Sequence, residues 1–149
     1  MDDNPVSTSV IRVRYAETDQ MGVAYHGGYF AWFEVGRTDL LRERGMTYRE
    51  LEAADLHLPV IEAGARYLKP VRYDDVIEVR TRVVERSGAR VRFEYELFRE
   101  GTEGPLAMAF TAHAAVDGRG RPRRLPPELR SLLQAPRDDR AGVTRTHSS

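Results

Sequence analysis

At 149 residues and 41% hydrophobic content the chain has the size of one domain, long enough to bury about two-thirds of its unfolded surface. Its formal charge is zero, where a nucleic-acid binder is usually basic, and it has no cysteine, which excludes disulfides, thiolate metal sites and cysteine nucleophiles. No apolar run approaches the roughly 20 residues of a membrane span, and MDDNPVSTS lacks a charged-then-apolar signal pattern, so a cytoplasmic protein is expected.

The first predicted element is a half-buried strand over Ser9 to Tyr15, with Ile11, Val13 and Tyr15 on one face and Arg12 and Arg14 on the other. A glycine-rich connector leads into a helix over Tyr29 to Arg44, whose stripe carries Tyr29, Trp32, Phe33, Gly36 and Leu40. Gly36 costs about 1 kcal/mol against alanine inside a helix, which implies close approach to another backbone. Gly45 suits the C-terminal cap. Thr47-Tyr48-Arg49-Glu50 is a capping-box pattern, so a short second helix is expected to about Ala54.

Four strands follow: His57 to Lys69, Val76 to Glu85, Val91 to Phe98, and about Leu106 to Val116. Ser87-Gly88, Gly101 to Gly104 and Asp117-Gly118 mark turns, and strands joined by short turns pair antiparallel. Ala107, Ala109 and Thr111 make one face of the last strand small, leaving room for the long helix. Pro126-Pro127-Glu128 can start a terminal helix. The domain is therefore α+β over residues 1–134, and the polar stretch over residues 135–149 is expected to be a disordered tail. The 22 arginines against one lysine, Lys69, are interleaved with acids and read as a compositional habit, not a polyanion groove.

The connector YAETDQMGVAYHGGY, from Tyr15 to Tyr29, holds the candidate chemistry. Backbone N–H groups at the start of a helix are orphan donors at the positive end of its dipole. Glycines there let a ligand approach, which makes a site for a developing oxyanion. A carboxylate a few residues upstream, Asp19, supplies a base or nucleophile beside those donors. The competing reading makes Asp19 a turn residue. His26 is read as acting through its backbone. His57, His113 and His147 read as structural, since none has a metal-ligand spacing.

The run RVRYAETDQMGVAYHGGYFAWFEVGRTDLLRERG resembles the 4-hydroxybenzoyl-CoA thioesterase-like acyl-CoA thioesterases of the hotdog superfamily, and LPVIEAGARYLKPVRYDDVIEVRTRV resembles their strand carrying Y-x-x-P-x-x-(Y/F)-D-D. The resemblance covers about Ile11 to Leu125. It implies a hotdog fold, an antiparallel sheet wrapped around one long helix, with sheets paired edge to edge, sites at the dimer interface, and often a tetramer. It also implies hydrolysis of an acyl-CoA, with CoA as part of the substrate; no separate cofactor, metal, nucleic acid or membrane span is expected.

By the same resemblance the catalytic carboxylate falls on Asp19 and the donor to the thioester carbonyl on His26, with Gly27 adjacent and Tyr25 and Tyr29 beside the acyl channel. Gly28 stands where the family commonly has asparagine. Among other acids, Glu17 reads as exposed, Glu34 as a structural partner of Arg37 or Thr38, Asp74 and Asp75 as turn formers, and Glu62 as a residue facing the partner's site. Lys69 and Arg72, or the cluster with Arg121 and Arg123, are candidates for the CoA phosphates, since arginine binds them bidentately. Rival readings are a non-catalytic acyl-thioester-binding protein and a hotdog enoyl-thioester hydratase.

Overall fold

The computed structural model describes residues 6–134 and 143–145. Its elements in chain order are β1 (Ser7–Arg12), α1 (Tyr29–Glu43), α2 (Tyr48–Ala53), β2 (Val60–Tyr67), β3 (Val76–Ser87), β4 (Arg90–Arg99), β5 (Ala107–Ala114), α3 (Pro127–Gln134) and β6 (Val143–Arg145). The sheet runs β2-β5-β4-β3-β1-β6. The first five of these strands pair antiparallel, and β6 lies parallel to β1. The long helix on one face of an antiparallel sheet is the expected hotdog arrangement.

Strand alternation builds the core. Ile77, Val79, Thr81 and Val83 of β3 and Val91, Phe93, Tyr95 and Leu97 of β4 are all buried, and α1 covers that face with Tyr29, Trp32, Phe33, Leu40 and Leu41. Full burial of each such side chain contributes about 1.5–3 kcal/mol. Thr47 caps α2 by accepting from the Glu50 N–H at 3.2 Å, as the capping box predicts. Gly45 ends α1 at φ +90°, a left-handed conformation that favours glycine.

Gly36 is a close-approach site, but the neighbours are side chains rather than backbone. A Cβ there would lie 2.4 Å from Thr81 Oγ1 and 2.9 Å from Val79 Cγ1, so the missing methyl sets the distance between α1 and β3. Asp39 of α1 lies outside the stripe of Tyr29, Trp32, Phe33, Gly36 and Leu40 and is nonetheless buried, where Ser9 Oγ donates to its Oδ2 at 2.7 Å.

The first strand ends at Arg12, earlier than expected, and Tyr15 is 69% exposed. The reason is Glu17, which is buried rather than exposed. Its Oε1 accepts from the Arg14 N–H at 2.8 Å and its Oε2 from the Trp32 indole at 2.8 Å. These bonds curl Tyr15–Glu17 into a 3-10 turn and draw the carboxylate inward. The tail expectation falls largely on residues 135–142 and 146–149, outside the described residues.

Candidate functional site

Asp19 stands at the base of a tight loop. Its N–H donates to Val23 O at 2.8 Å, Gly22 N–H donates to its carbonyl at 3.0 Å, and Thr18 bridges to Ala24. Gly22 takes φ +74°, which a side chain would strain. The Asp19 Oδ1 accepts from the N–H of Met21 at 2.8 Å and of Val23 at 3.2 Å, an Asx-type turn. Asp19 is exposed, and its Oδ2 meets no donor among the described residues. The turn-forming role is therefore present, and it uses one carboxylate oxygen of the two.

The loop is fixed against the chain after β2. Ala24 N–H donates to Val71 O at 2.7 Å and Tyr73 N–H to Gly22 O at 2.9 Å, with Val23 bridging to Arg72. After Ala24, Tyr25 is extended and His26–Gly28 form a 3-10 turn that runs straight into α1. Gly28 N–H donates to Tyr25 O at 3.1 Å, while the N–H groups of His26 and Gly27 meet no acceptor among the described residues. These two are the free donors at the positive end of the helix.

Tyr67, the last residue of β2, organises this entrance. Its ring stacks on the His26 imidazole at 4.3 Å between centroids, its hydroxyl donates to His26 O at 3.2 Å, and its edge meets Tyr29 at 4.8 Å. Sequence reasoning left Tyr67 out of the site. The available signal was its place as the first tyrosine of Tyr-x-x-Pro. Tyr29 is buried against Trp32 and Tyr67, and burial raises its phenol pKa. Tyr25 is half exposed and its ring lies over Gly28, where a Cβ would come within 3.3 Å of it.

The remaining candidates are spread along β2. Lys69 and Arg72 follow its Tyr67 end; Lys69 Nζ donates to Glu103 O at 3.1 Å, and the Arg72 guanidinium has no partner among the described residues. Arg121 and Arg123 lie beside the opposite end, near His57 and Val116. Arg121 Nε donates to Asp117 Oδ2 at 3.1 Å, and Arg123 donates to Ala54 O at 2.6 Å and Asp55 O at 2.7 Å, where α2 ends. Glu62 is exposed on β2, at the free edge of the sheet. Glu34 is exposed and makes no ion pair among the described residues, contrary to the expected structural pairing.

Asp75 Oδ2 accepts from Arg72 N–H at 2.8 Å and Arg99 Nε at 3.0 Å, and Asp74 takes φ +69°, so this pair shapes the turn before β3 as read. His113 is buried between Leu58 O and Thr111 Oγ1, each at 2.8 Å, and burial lowers its pKa to about 4. Among the described residues no three His, Asp or Glu side chains gather to hold a metal ion, and no helix is long and apolar enough to cross a membrane.

Residues 13–133 match the family described as the thioesterase-like superfamily. The acyl-CoA thioesterase YbgC of Haemophilus influenzae is 36% identical over 125 residues, 83% of this chain and 90% of that protein. Among solved structures, hypothetical protein TT1821 from Thermus thermophilus superposes with a TM-score of 0.80 at 40% identity, over 87% of this chain and 95% of its own. The DHNA-CoA thioesterase from Staphylococcus aureus superposes at 0.77 with 36% identity, over 80% of each chain.

Proposed function

The chain belongs to the thioesterase-like superfamily and is a thioester hydrolase, and from that premise we propose that it converts an acyl-CoA and water to a carboxylic acid and free CoA. The thioester oxygen rests on the His26 N–H, with the Gly27 N–H adjacent, and the helix dipole stabilises the charge that develops there. Asp19 acts through Oδ2 in one of two ways. As nucleophile it attacks the carbonyl carbon, the C–S bond breaks, CoA leaves as the thiolate, and water then cleaves the mixed anhydride. As general base it takes a proton from the attacking water.

What supports this reading is the pairing of one free carboxylate oxygen with two free N–H donors, on loops held against the same stretch, Tyr67 to Tyr73. Lys69 and Arg72 lie within that stretch and receive CoA phosphates. Arg121 and Arg123 lie at the other end of β2, away from the Tyr67 end, and fit that task less well. No cofactor is required beyond the CoA of the substrate. The working unit is a homodimer joined through the β2 edges, where Val60 and Ile61 are 46% and 48% exposed, with Glu62 beside the partner's site; two dimers make a tetramer.

The test is thiol release from short, medium, long and aromatic acyl-CoAs by the intact protein and by Asp19→Ala. Turnover that collapses in the variant supports Asp19 chemistry, and turnover that survives moves the chemistry to Glu62 or Glu34. CoA binding without turnover of any thioester would replace hydrolysis with the binding-protein reading. A change in enoyl absorbance without free thiol would point to a hydratase.

A further inference from the structure

A groove of about 450 Å³ runs along the outer flank of α1. Phe30, Ala31, Glu34 and Arg37 form its helix wall, a spacing that keeps them on one side of α1. Val60 and Ala63 of β2 and Thr111 of β5 close it from the sheet side. Its helix wall begins at Phe30, one residue past Tyr29, and reaches Arg37 after two helical turns, about 10 Å. The first part of the wall is apolar, and the far end is not.

Arg37 is a half-buried cation with no carboxylate in ion-pair range among the described residues. Its Nη1 donates to the Tyr95 hydroxyl at 3.5 Å, and the buried Tyr48 hydroxyl also faces the guanidinium. The Tyr95 hydroxyl is bonded to Thr111 Oγ1 at 2.6 Å, Thr111 to His113 Nε2 at 2.8 Å, and His113 Nδ1 to Leu58 O at 2.8 Å. The protein thus surrounds Arg37 with neutral hydroxyls and gives it no ion pair among the described residues. A guanidinium offers five N–H donors, more than these two hydroxyls accept, and Arg37 lines the groove.

We propose that this groove is the acyl subsite and that Arg37 is its specificity determinant, favouring acyl groups whose far end carries an anionic oxygen over plain alkyl groups of the same length. The proposal rests on the thioesterase reading. Glu34, exposed on the groove wall one turn earlier, moderates the preference by repelling the same oxygen.

Octanoyl-CoA and suberoyl-CoA differ by the terminal carboxylate and make the test. Their affinities are measured by calorimetry on the Asp19→Asn protein, alone and with Arg37→Met, Arg37→Lys or Glu34→Gln added, and their turnover is measured on the unaltered protein. The expected result is suberoyl-CoA binding about tenfold or more tighter, from a charge-assisted bond. Arg37→Met brings the ratio toward one, Arg37→Lys retains part of it, and Glu34→Gln raises it. Equal or weaker binding of suberoyl-CoA in the parent overturns the proposal, whatever the variants do. So does an unchanged ratio in a folded Arg37→Met protein, or failure to bind either ester. Hydrolysis of both esters without preference removes the subsite alone. Preference without hydrolysis of either removes the thioesterase reading and leaves the subsite standing.

Discussion

The Trp32 indole donates to Glu17 Oε2 at 2.8 Å, and this buried bond ties the helix core to the turn that precedes the Asp19 loop. Removing the carboxylate leaves the indole N–H and the Arg14 N–H without their acceptor. Bonds to charged groups contribute about 1.5–3 kcal/mol each net, so Glu17→Ala is expected to lower stability by about 3 kcal/mol. Urea unfolding checks this. Turnover per folded molecule should fall far less than in an Asp19 variant, because Glu17 is structural.

Gly36→Ala sets two effects against each other. Alanine is better than glycine in a helix by about 1 kcal/mol. The new Cβ would, however, sit 2.4 Å from Thr81 Oγ1 and 2.9 Å from Val79 Cγ1, and overpacking costs about 1–3 kcal/mol. The clash wins, since both neighbours are short β-branched side chains with little freedom to move. The substitution should lower the unfolding midpoint, and an unchanged or raised midpoint would show that α1 can shift away from β3.

His113 makes stability depend on pH. Its folded pKa is lowered to about 4 by burial, below the ordinary value of about 6.5 for an unfolded chain. The unfolded state therefore binds more protons between these values, and stability rises with pH across that window. The contribution is full above pH 6.5 and is lost as pH falls toward 4, by about 3 kcal/mol in all. Urea midpoints at pH 7 and pH 5 should differ, and His113→Asn should flatten the difference.

The free edge of β2 should hold the protein together. Val60→Lys with Ile61→Lys puts two charges on an edge strand, which blocks strand pairing. The expected outcome is a monomer by sedimentation with thiol release lost, while the unaltered protein sediments as a dimer or larger. A monomeric parent that is fully active would show that one chain carries a complete site.

The helices and the four later strands were legible because alternation and capping are local signals: the Thr47–Glu50 cap and the β3 and β4 faces are where their patterns place them. Glu17 was misplaced, and the burial of Asp39 was not legible, for one shared reason. A charged side chain reads as exposed until a distant partner, here Ser9 or Trp32, is known. Tyr67 was missed likewise, since its contact with His26 spans 41 positions in the chain. The Asp19 turn and the unpaired N–H groups at the start of α1 were legible from local chemistry, but the groove to Arg37 exists only after β2 and β5 fold against α1.

Asp19→Asn is the variant to measure first, because the amide keeps an Oδ1 acceptor for the Met21 and Val23 N–H groups and so preserves the turn. Thiol release from the best acyl-CoA is compared in the two proteins, with the unfolding midpoint alongside. A loss of about 100- to 10,000-fold in kcat/KM with the midpoint nearly unchanged is the predicted result. Turnover within a few-fold of the unaltered protein would contradict Asp19 as the group that acts on the thioester, and would leave it only its turn.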